Sequence, residues 1–333
     1  MVIQKNKPTI AIIGAGLAGL NLARLLSDMA EIVVFEKSDK LCGRMATHHA
    51  NGFSFDHGAQ FFIAKNPAFK TLVQELESQG VVAQWHANFV ELDHEGVHSQ
   101  RVWEDEFPHY VGTPAMNSIG QYLANNIDVR FNQLITGIKK IDSSWFVETT
   151  ESKYGPFDWV LVTTPAEQAR AMLPESLYPT INLKAVTMQP CFALMLAFER
   201  PNFFDWDAAF VSKSILSWVS VNSSKPKRGE QLTVVAMSTN DWAKTNFDRS
   251  EASVIEEMQT ELGNITGKNL TGATYIKLKR WKYANASRQE PALEMIDASS
   301  QLASCGDWCI SGRVESAFMS SLNLANKLKA LIV

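Results

Sequence analysis

The stretch that most constrains this chain is TIAIIGAGLAGLNLARLLSDMAEIVVFE, Thr9 to Glu36. The apolar run Ile10 to Ile13 reads as a buried strand that turns at once into Gly14, Ala15 and Gly16. A helical apolar pattern follows at Leu17, Leu20, Leu22, Leu25 and Leu26. Gly14 permits the tight turn, Gly16 lets the backbone approach a pyrophosphate without a Cβ in the way, and Gly19 lets the helix lie close on the strand. Leu17, Ala18 and Gly19 then sit at a helix N-terminus, where unpaired N–H groups and the positive end of the dipole favour an anion. A second strand, Ile32 to Phe35, ends on Glu36, with Lys37 next. A carboxylate at that point accepts from ribose hydroxyls and disfavours a 2′-phosphate. Glycines at this spacing also occur in ordinary helix-capping loops. The strand before, the helix after and the acid closing the next strand together point to a bound dinucleotide.

Three further segments bear on which dinucleotide. Gly43-Arg44-Met45 follows soon after Glu36 and places a cation where it can return to the same pyrophosphate, which points to FAD. The segment from Phe53 to Asp56 alternates as a strand and, after His57, breaks at Gly58-Ala59-Gln60, a small-residue turn where a flat ring can approach backbone N–H groups. Near the C-terminus, Gln301 to Cys305 reads as a strand leading into Gly306 and Asp307, whose carboxylate suits ribityl hydroxyls. A helix from Arg313 through Val314, Glu315 and Ala317 to Ile332 follows. Its N-terminal N–H groups would offset the negative charge that a reduced flavin carries at N1 and C2=O.

Several function classes are disfavoured by composition. A formal net charge of −4 and a pI near 6.0 give no footprint for nucleic acid or an acidic membrane surface. Lys225, Lys227 and Arg228, beside Pro226 and Gly229, read as a charged hairpin loop. The first residues, MVIQKNKP, contain no apolar signal core, and no run reaches the ~18 apolar residues a spanning helix needs, so a cytoplasmic protein is expected. Cys42, Cys191, Cys305 and Cys309 are too scattered for a disulfide framework and lack the spacing of a zinc site; buried thiols are expected. His48, His49, His94 and His98 read as surface residues, and no metal is expected.

At 333 residues with 46% hydrophobic content, the chain is expected to form about two domains with a sizeable core. A helix is predicted over 66–79 and another from Thr113 as N-cap with Pro114 at its first position. Strands are predicted at 129–141, 145–150 and 156–165. A largely antiparallel second layer is predicted from strands at 186–198, 210–221, 232–238 and 273–281, crossed by a helix near 249–262. The expected organisation is an α/β protein with a discontinuous, Rossmann-like cofactor domain (1–80, 111–172 and 290–333) and a substrate domain (81–110 and 173–289).

With these residues in view, GAGLAG with Glu36, CGRM, DHGAQFF, RWKYA at 280–284 and CGDWCISGRVESA at 305–317 resemble the renalases, in particular the bacterial ones. These lie within the wider amine-oxidase-like flavoproteins of p-hydroxybenzoate-hydroxylase type. The C-terminal string is the most specific part of the likeness. Ser316 stands where relatives carry glycine and Tyr110 where they usually carry tryptophan. The resemblance implies noncovalent FAD, with Ile135 along the adenine and the residues above around the rest. It also implies oxidation of the 2- and 6-dihydro isomers of NAD(P)H to NAD(P)⁺, with O₂ reduced to H₂O₂.

That reaction suits what the sequence lacks. Hydride loss from a dihydropyridine gives an aromatic cation directly, so no base must remove a substrate proton, and positioning dominates. No Ser/His/Asp or Cys/His arrangement is evident. Trp281 and Tyr283, with Trp242 a weaker candidate, are expected to form an aromatic wall for a flat nicotinamide, and His57 is a candidate to assist O₂ reduction. An amine oxidase and a flavin-binding redox sensor are the alternatives.

Overall fold

The computed structural model describes residues 7–175, 183, 186–286 and 295–332. The chain divides into two compact units, one of Met1–Gly43, Gly120–Met188 and Ala286–Val333, the other of Arg44–Ile119 and Gln189–Asn285.

In the first unit the apolar run Thr9–Ile13 lies at the heart of a six-stranded sheet. It pairs in parallel with Glu31–Phe35 on one side and Trp159–Val162 on the other. Asp128–Arg130 extends the sheet beyond Glu31–Phe35, and Leu302–Ser304 extends it in parallel beyond Trp159–Val162. Met295–Asp297 closes the edge antiparallel. Thr9–Ile13, Trp159–Val162 and Leu302–Ser304 are nearly continuous buried runs, as expected of strands covered on both faces, whereas Asp128–Arg130 at the sheet edge is largely exposed. The helices Leu17–Leu26 and Val314–Leu331 pack together, with Asn21 Nδ2 donating to Ser321 Oγ at 2.8 Å. A separate antiparallel sheet joins Gly137–Ile141, Ser144–Glu148 and Lys153–Phe157. The predicted strands 129–141 and 156–165 are therefore each two short strands in different sheets, and their apolar content does not reveal the break.

The second unit is built on a seven-stranded sheet ordered Tyr275–Ala286, Met188–Phe198, Leu232–Ser238, Leu216–Val221, Ala208–Val211, Asn88–Asp93, Gly96–Val102. Leu232–Ser238 pairs antiparallel with both Met188–Phe198 and Leu216–Val221, as do Leu216–Val221 with Ala208–Val211 and Asn88–Asp93 with Gly96–Val102, whereas Ala208–Val211 and Asn88–Asp93 run parallel. Alternation along Met188–Phe198 sends Phe192, Leu194, Leu196 and Phe198 to a core with Val254, Met258 and Leu262 of helix Glu251–Thr266. Ala193, Met195 and Ala197 face Phe53 and Phe55 instead. That packing draws Phe53–Asp56 into the second unit. Residues 44–80 and 111–119 accordingly group with the sheet rather than with the Rossmann-like unit to which the sequence ranges gave them.

The helix Pro67–Ser78 forms as predicted: Asn66 accepts from Ala68 N at 2.9 Å, Pro67 occupies the first turn, and Phe69, Leu72, Val73 and Leu76 are buried. Thr113 does not cap a helix. Its hydroxyl donates to Gly80 O at 2.6 Å, and the helix begins only at Ser118. The four cysteines are free and buried, as expected, and burial pushes the thiols of Cys42 up to about 12 and Cys191 up to about 11. Among the described residues no helix is long and apolar enough to cross a membrane.

Candidate active site

In the first unit the strand Thr9–Ile13 delivers the chain into the predicted glycine turn. Gly14 N donates to Phe35 O at 2.8 Å, and Ala15 N donates to Glu36 Oε2 at 2.9 Å. Glu36 is buried, and its Oε1 accepts from the N–H and hydroxyl of Ser38 at 2.9 and 2.8 Å. The acid is thus aligned on the turn with lone pairs left for a ribose. Leu17 and Ala18 are buried, whereas Lys37 is exposed. The segment after Glu36 returns to the turn, with Cys42 N donating to Ala15 O at 2.8 Å and Gly43 lying beside Gly16. On the other flank, Gln133 N donates to Glu36 O at 2.9 Å and leads to buried Ile135.

The residues present fit a dinucleotide. The helix Leu17–Leu26 starts at Gly16 with no side-chain cap and no acid in its first turn, leaving its N–H groups for an external anion. Gly16 is extended (φ −76°, ψ 177°), a conformation open to any residue, and a Cβ built there has no atom within 4 Å. Neither backbone nor packing requires glycine there, and the open space is free for a closely approaching ligand.

Strands Thr9–Ile13, Trp159–Val162 and Leu302–Ser304 run parallel, so their carboxyl ends share one edge of the sheet. Ligands of open α/β sheets bind at that edge. There, Thr163 Oγ1 contacts Ile13 O and Gly14 O at 3.0 Å each, and Gly306 and buried Asp307 follow Leu302–Ser304. The Asp307 carbonyl accepts from Ile310, Ser311 and Gly312 N, folding the loop that launches Val314–Leu331. Arg313 is exposed at the N-cap; Val314, Glu315 and Ala317 are half-buried in the first turn. Ser316 is buried and bonded to the Ser311 hydroxyl at 2.8 Å. Its extra atoms relative to glycine are thereby turned into the loop.

The second unit holds the other predicted residues. Arg44 Nη1 donates to Ala284 O at 3.1 Å, Met45 is buried, and Ala59 N donates to Arg44 O at 2.9 Å. A Cβ on Gly58 would come 1.9 Å from Arg44 O, so glycine is required there by the protein's own backbone. His57 is buried and stacks on Trp281, with ring centroids 5.3 Å apart and planes at 20°, and Trp281 Nε1 donates to His57 O at 2.7 Å. Trp281 also packs against the Phe53, Phe55 and Met195 cluster. Trp281→Phe should therefore cost about 1 kcal/mol from the lost hydrogen bond, read as a shifted urea midpoint. Tyr283 is half-buried with Lys282 Nζ 5.5 Å from its ring centre. Trp242 packs edge-on to Phe192 as part of the core.

Two features escaped sequence reasoning. The first is a cleft of about 410 Å³ whose lining includes Gln60, Phe61, Cys191, Ser217, Trp218, Ser238, Asn240 and Asn285. Trp281 and Tyr283 do not line it, although alternation along Tyr275–Ala286 puts them on the same strand face as Asn285. The second lies in the charged loop 225–229, where Lys227 is exposed. Lys225 and Arg228 are sealed from solvent and share one carboxylate oxygen, Asp56 Oδ2, at 3.1 and 2.6 Å. Thr47 Oγ1 and Met116 N donate to Oδ1 at 2.7 and 3.2 Å. Burial alone would raise the Asp56 carboxyl, but the two cations and the hydrogen bonds from Arg228 and Thr47 hold it well below the usual carboxylate range. Burial lowers Lys225 to about 8 against the pull of Asp56, and Arg228 adds to the lowering.

Of the four histidines expected at the surface, His49, His94 and His98 are exposed and His48 is half-buried, its Nε2 2.6 Å from Tyr275 Oη; His98 Nε2 lies 2.7 Å from Asp93 Oδ1. Asp93, Glu95 and His98 bring metal-ligating atoms within 4.8 Å of one another, but His98 and Lys213 already bond the Asp93 carboxylate.

The signature described as an NAD(P)-binding Rossmann-like domain matches residues 12–76, and that of flavin-containing amine oxidoreductases matches residues 102–328. A coproporphyrinogen III oxidase of Mycobacterium tuberculosis is 35% identical over 69 residues, 20% of this chain and 15% of that protein. A lysine-specific histone demethylase 1B homolog of Caenorhabditis elegans is 41% identical over 58 residues, 17% of this chain and 7% of that protein. The chain thus aligns with only a small part of these relatives' length. Among solved structures, a chain assigned as a protoporphyrinogen oxidase from Exiguobacterium sp. 255-15 superposes with a TM-score of 0.79 at 12% identity, covering 98% of this chain and 99% of that one. Wild-type putrescine oxidase bound to putrescine gives a TM-score of 0.73 at 13% identity, covering 98% and 99%. At these identities the likeness is one of fold.

Proposed function

We propose, for a chain that belongs to the flavin-containing amine oxidoreductase family, a renalase-like oxidase acting on the 2- and 6-dihydro isomers of NAD(P)H. The balanced reaction is dihydro-NAD(P) isomer + O₂ + H⁺ → NAD(P)⁺ + H₂O₂. Noncovalent FAD, when bound, supplies the chemistry of accepting a hydride and passing the electron pair to O₂.

The chain's own part is binding and orientation. The turn from Gly14 to Gly19 receives the pyrophosphate, Glu36 the ribose hydroxyls, and Asp307 and the start of Val314–Leu331 the ribityl and ring end. Arg44, Met45 and the turn Gly58-Ala59-Gln60 are further flavin-binding residues in this reading.

The observation that carries the substrate assignment is the neutrality of the cleft. Its lining residues bear no carboxylate and no cation, and burial keeps Cys191 a thiol. Phe61 and Trp218, with ring centroids 5.3 Å apart and planes tilted by 40°, offer an aromatic wall, and Asn240, Asn285, Ser217 and Ser238 offer amides and hydroxyls. A neutral dihydropyridine carrying a carboxamide matches that set and needs no base. A protonated amine would find no counter-charge there. Trp281 and Tyr283 act in this reading through the strand face they share with Asn285, and His57 through its stack on Trp281. A cytoplasmic setting, where nicotinamide nucleotides are abundant, suits the substrate.

Anaerobic stopped-flow mixing of the yellow protein tests the assignment. Rapid flavin bleaching is expected with 6-dihydro-NAD and not with 4-dihydro-NADH or primary amines. Bleaching by an amine would establish an ordinary amine oxidase, and a flavin that nothing bleaches would leave a redox sensor.

A further inference from the structure

Asp56 is one carboxylate facing two sealed cations, so the cluster with Lys225 and Arg228 keeps a net positive charge inside the second unit. Arg228 Nη1 is directed to the carbonyls of Gly112, Pro114 and Pro226. Lys225 is directed otherwise: besides Asp56, Nζ reaches Gln60 Oε1 at 3.4 Å and lies 5.3 Å from the centre of the Trp85 ring. Gln60 Oε1 also accepts from Ser220 Oγ at 2.7 Å, while Gln60 Nε2 donates to Asp56 O and Gly58 O at 2.5 and 3.0 Å.

Every polar atom of the Gln60 side chain is thus committed to protein partners. The residue lines the cleft yet has no hydrogen-bonding capacity to spare on a ligand beyond a bifurcated contact. Its carboxamide instead ties the turn Gly58-Ala59-Gln60 to the buried lysine. A cation screened by so little water acts over several ångströms, and Gln60 stands between this one and the cleft.

We propose that Lys225 is a positioning residue which, through Gln60, braces the flavin turn and supplies a positive potential that favours negative charge on the bound ring. The proposal rests on the flavin reading and not on the identity of the reducing substrate. Neutralising Lys225 should lower the electron affinity of the flavin without displacing it. A purely structural role would not respond to charge at constant side-chain length.

Sulfite is the probe, because it forms a colourless adduct by donating its sulfur lone pair to oxidised flavin N5 and leaves its negative charge on the ring. The step consumes no oxidant or reductant. Flavin-loaded Lys225→Met is expected to bind sulfite at least tenfold more weakly than wild type at pH 7, with Lys225→Arg restoring most of the affinity. The charged groups facing Lys225 are Asp56 and Arg228, and the folded Asp56 carboxyl is held well below the usual carboxylate range. In wild type, after correction for bisulfite ionisation, affinity should fall as pH rises through about 8, the range in which Lys225 loses its proton. This profile needs no variant and decides the matter if Lys225→Met does not fold. Equal affinities in the methionine and arginine variants, a flat wild-type profile, or no adduct in wild type at any pH would overturn the proposal. A purified protein that binds no FAD would overturn the flavin reading with it.

Discussion

Asp56→Asn is expected to destabilise the protein by about 3–5 kcal/mol, the cost of leaving a buried cation uncompensated. The carboxylate is fully buried and holds both Lys225 and Arg228 on one oxygen, while its other oxygen is bonded by Thr47 and Met116 N. An asparagine can replace the hydrogen bonds to one side but none of the charge. Lys225 can escape by shedding its proton, since burial already lowers it to about 8, and this caps the loss. Arg228 cannot. Urea unfolding at pH 7 checks the magnitude, and the pH dependence checks the cause. Because the folded Asp56 carboxyl is held low, its contribution is complete above the unfolded value of about 4 and is lost as pH falls through the folded one. The gap between wild type and Asp56→Asn should narrow only below about pH 4, where the contribution of the wild-type carboxylate is lost. Asp56→Asn combined with Lys225→Met should cost less than the sum of the two single changes, because the second removes one of the two cations that the first leaves unpaired.

The same cluster shows where sequence reading stops. The glycine turn, the helix after it and Glu36 are legible because they are local: strand, turn and helix occupy consecutive residues, and the acid's partner, Ala15 N, is 21 residues away. Lys225 lies 169 residues from Asp56, in a stretch rich in Lys, Pro and Gly whose composition is that of a solvated loop. Nothing along the chain marks which lysine is sealed from water. Asp56 itself follows an alternation, Phe53, Phe55, that would turn it outward. It is buried because the chain beyond it packs on both sides, a tertiary fact. The cleft is equally long-range, drawing Gln60, Cys191, Trp218 and Asn285 from separate strands and turns. Aromatic content alone favoured Trp281 and Tyr283, which the strand Tyr275–Ala286 carries outside the cleft lining.

The paired substitutions Gly19→Ala and Gly16→Ala separate what the fold needs from what the ligand needs. At Gly19 a Cβ would lie 2.0 Å from Gly14 O and 2.7 Å from Thr163 Oγ1. The first obstacle is backbone at the end of the central strand and cannot swing aside, so the helix Leu17–Leu26 must lift from the sheet. Overpacking of this kind is expected to cost at least about 3 kcal/mol, with FAD lost as a consequence of the damaged turn. At Gly16 the backbone is extended and a Cβ meets nothing within 4 Å. The apoprotein should therefore unfold within about 0.5 kcal/mol of wild type, as a harmless surface change does. The same methyl group stands at the uncapped start of the helix, where the pyrophosphate must come into contact with backbone N–H groups. FAD affinity in Gly16→Ala should fall by at least about tenfold, or 1.4 kcal/mol, read by fluorescence titration of the apoprotein. Normal FAD binding by Gly16→Ala would mean that the phosphates do not approach this turn, since no feature of the protein alone accounts for glycine at that position.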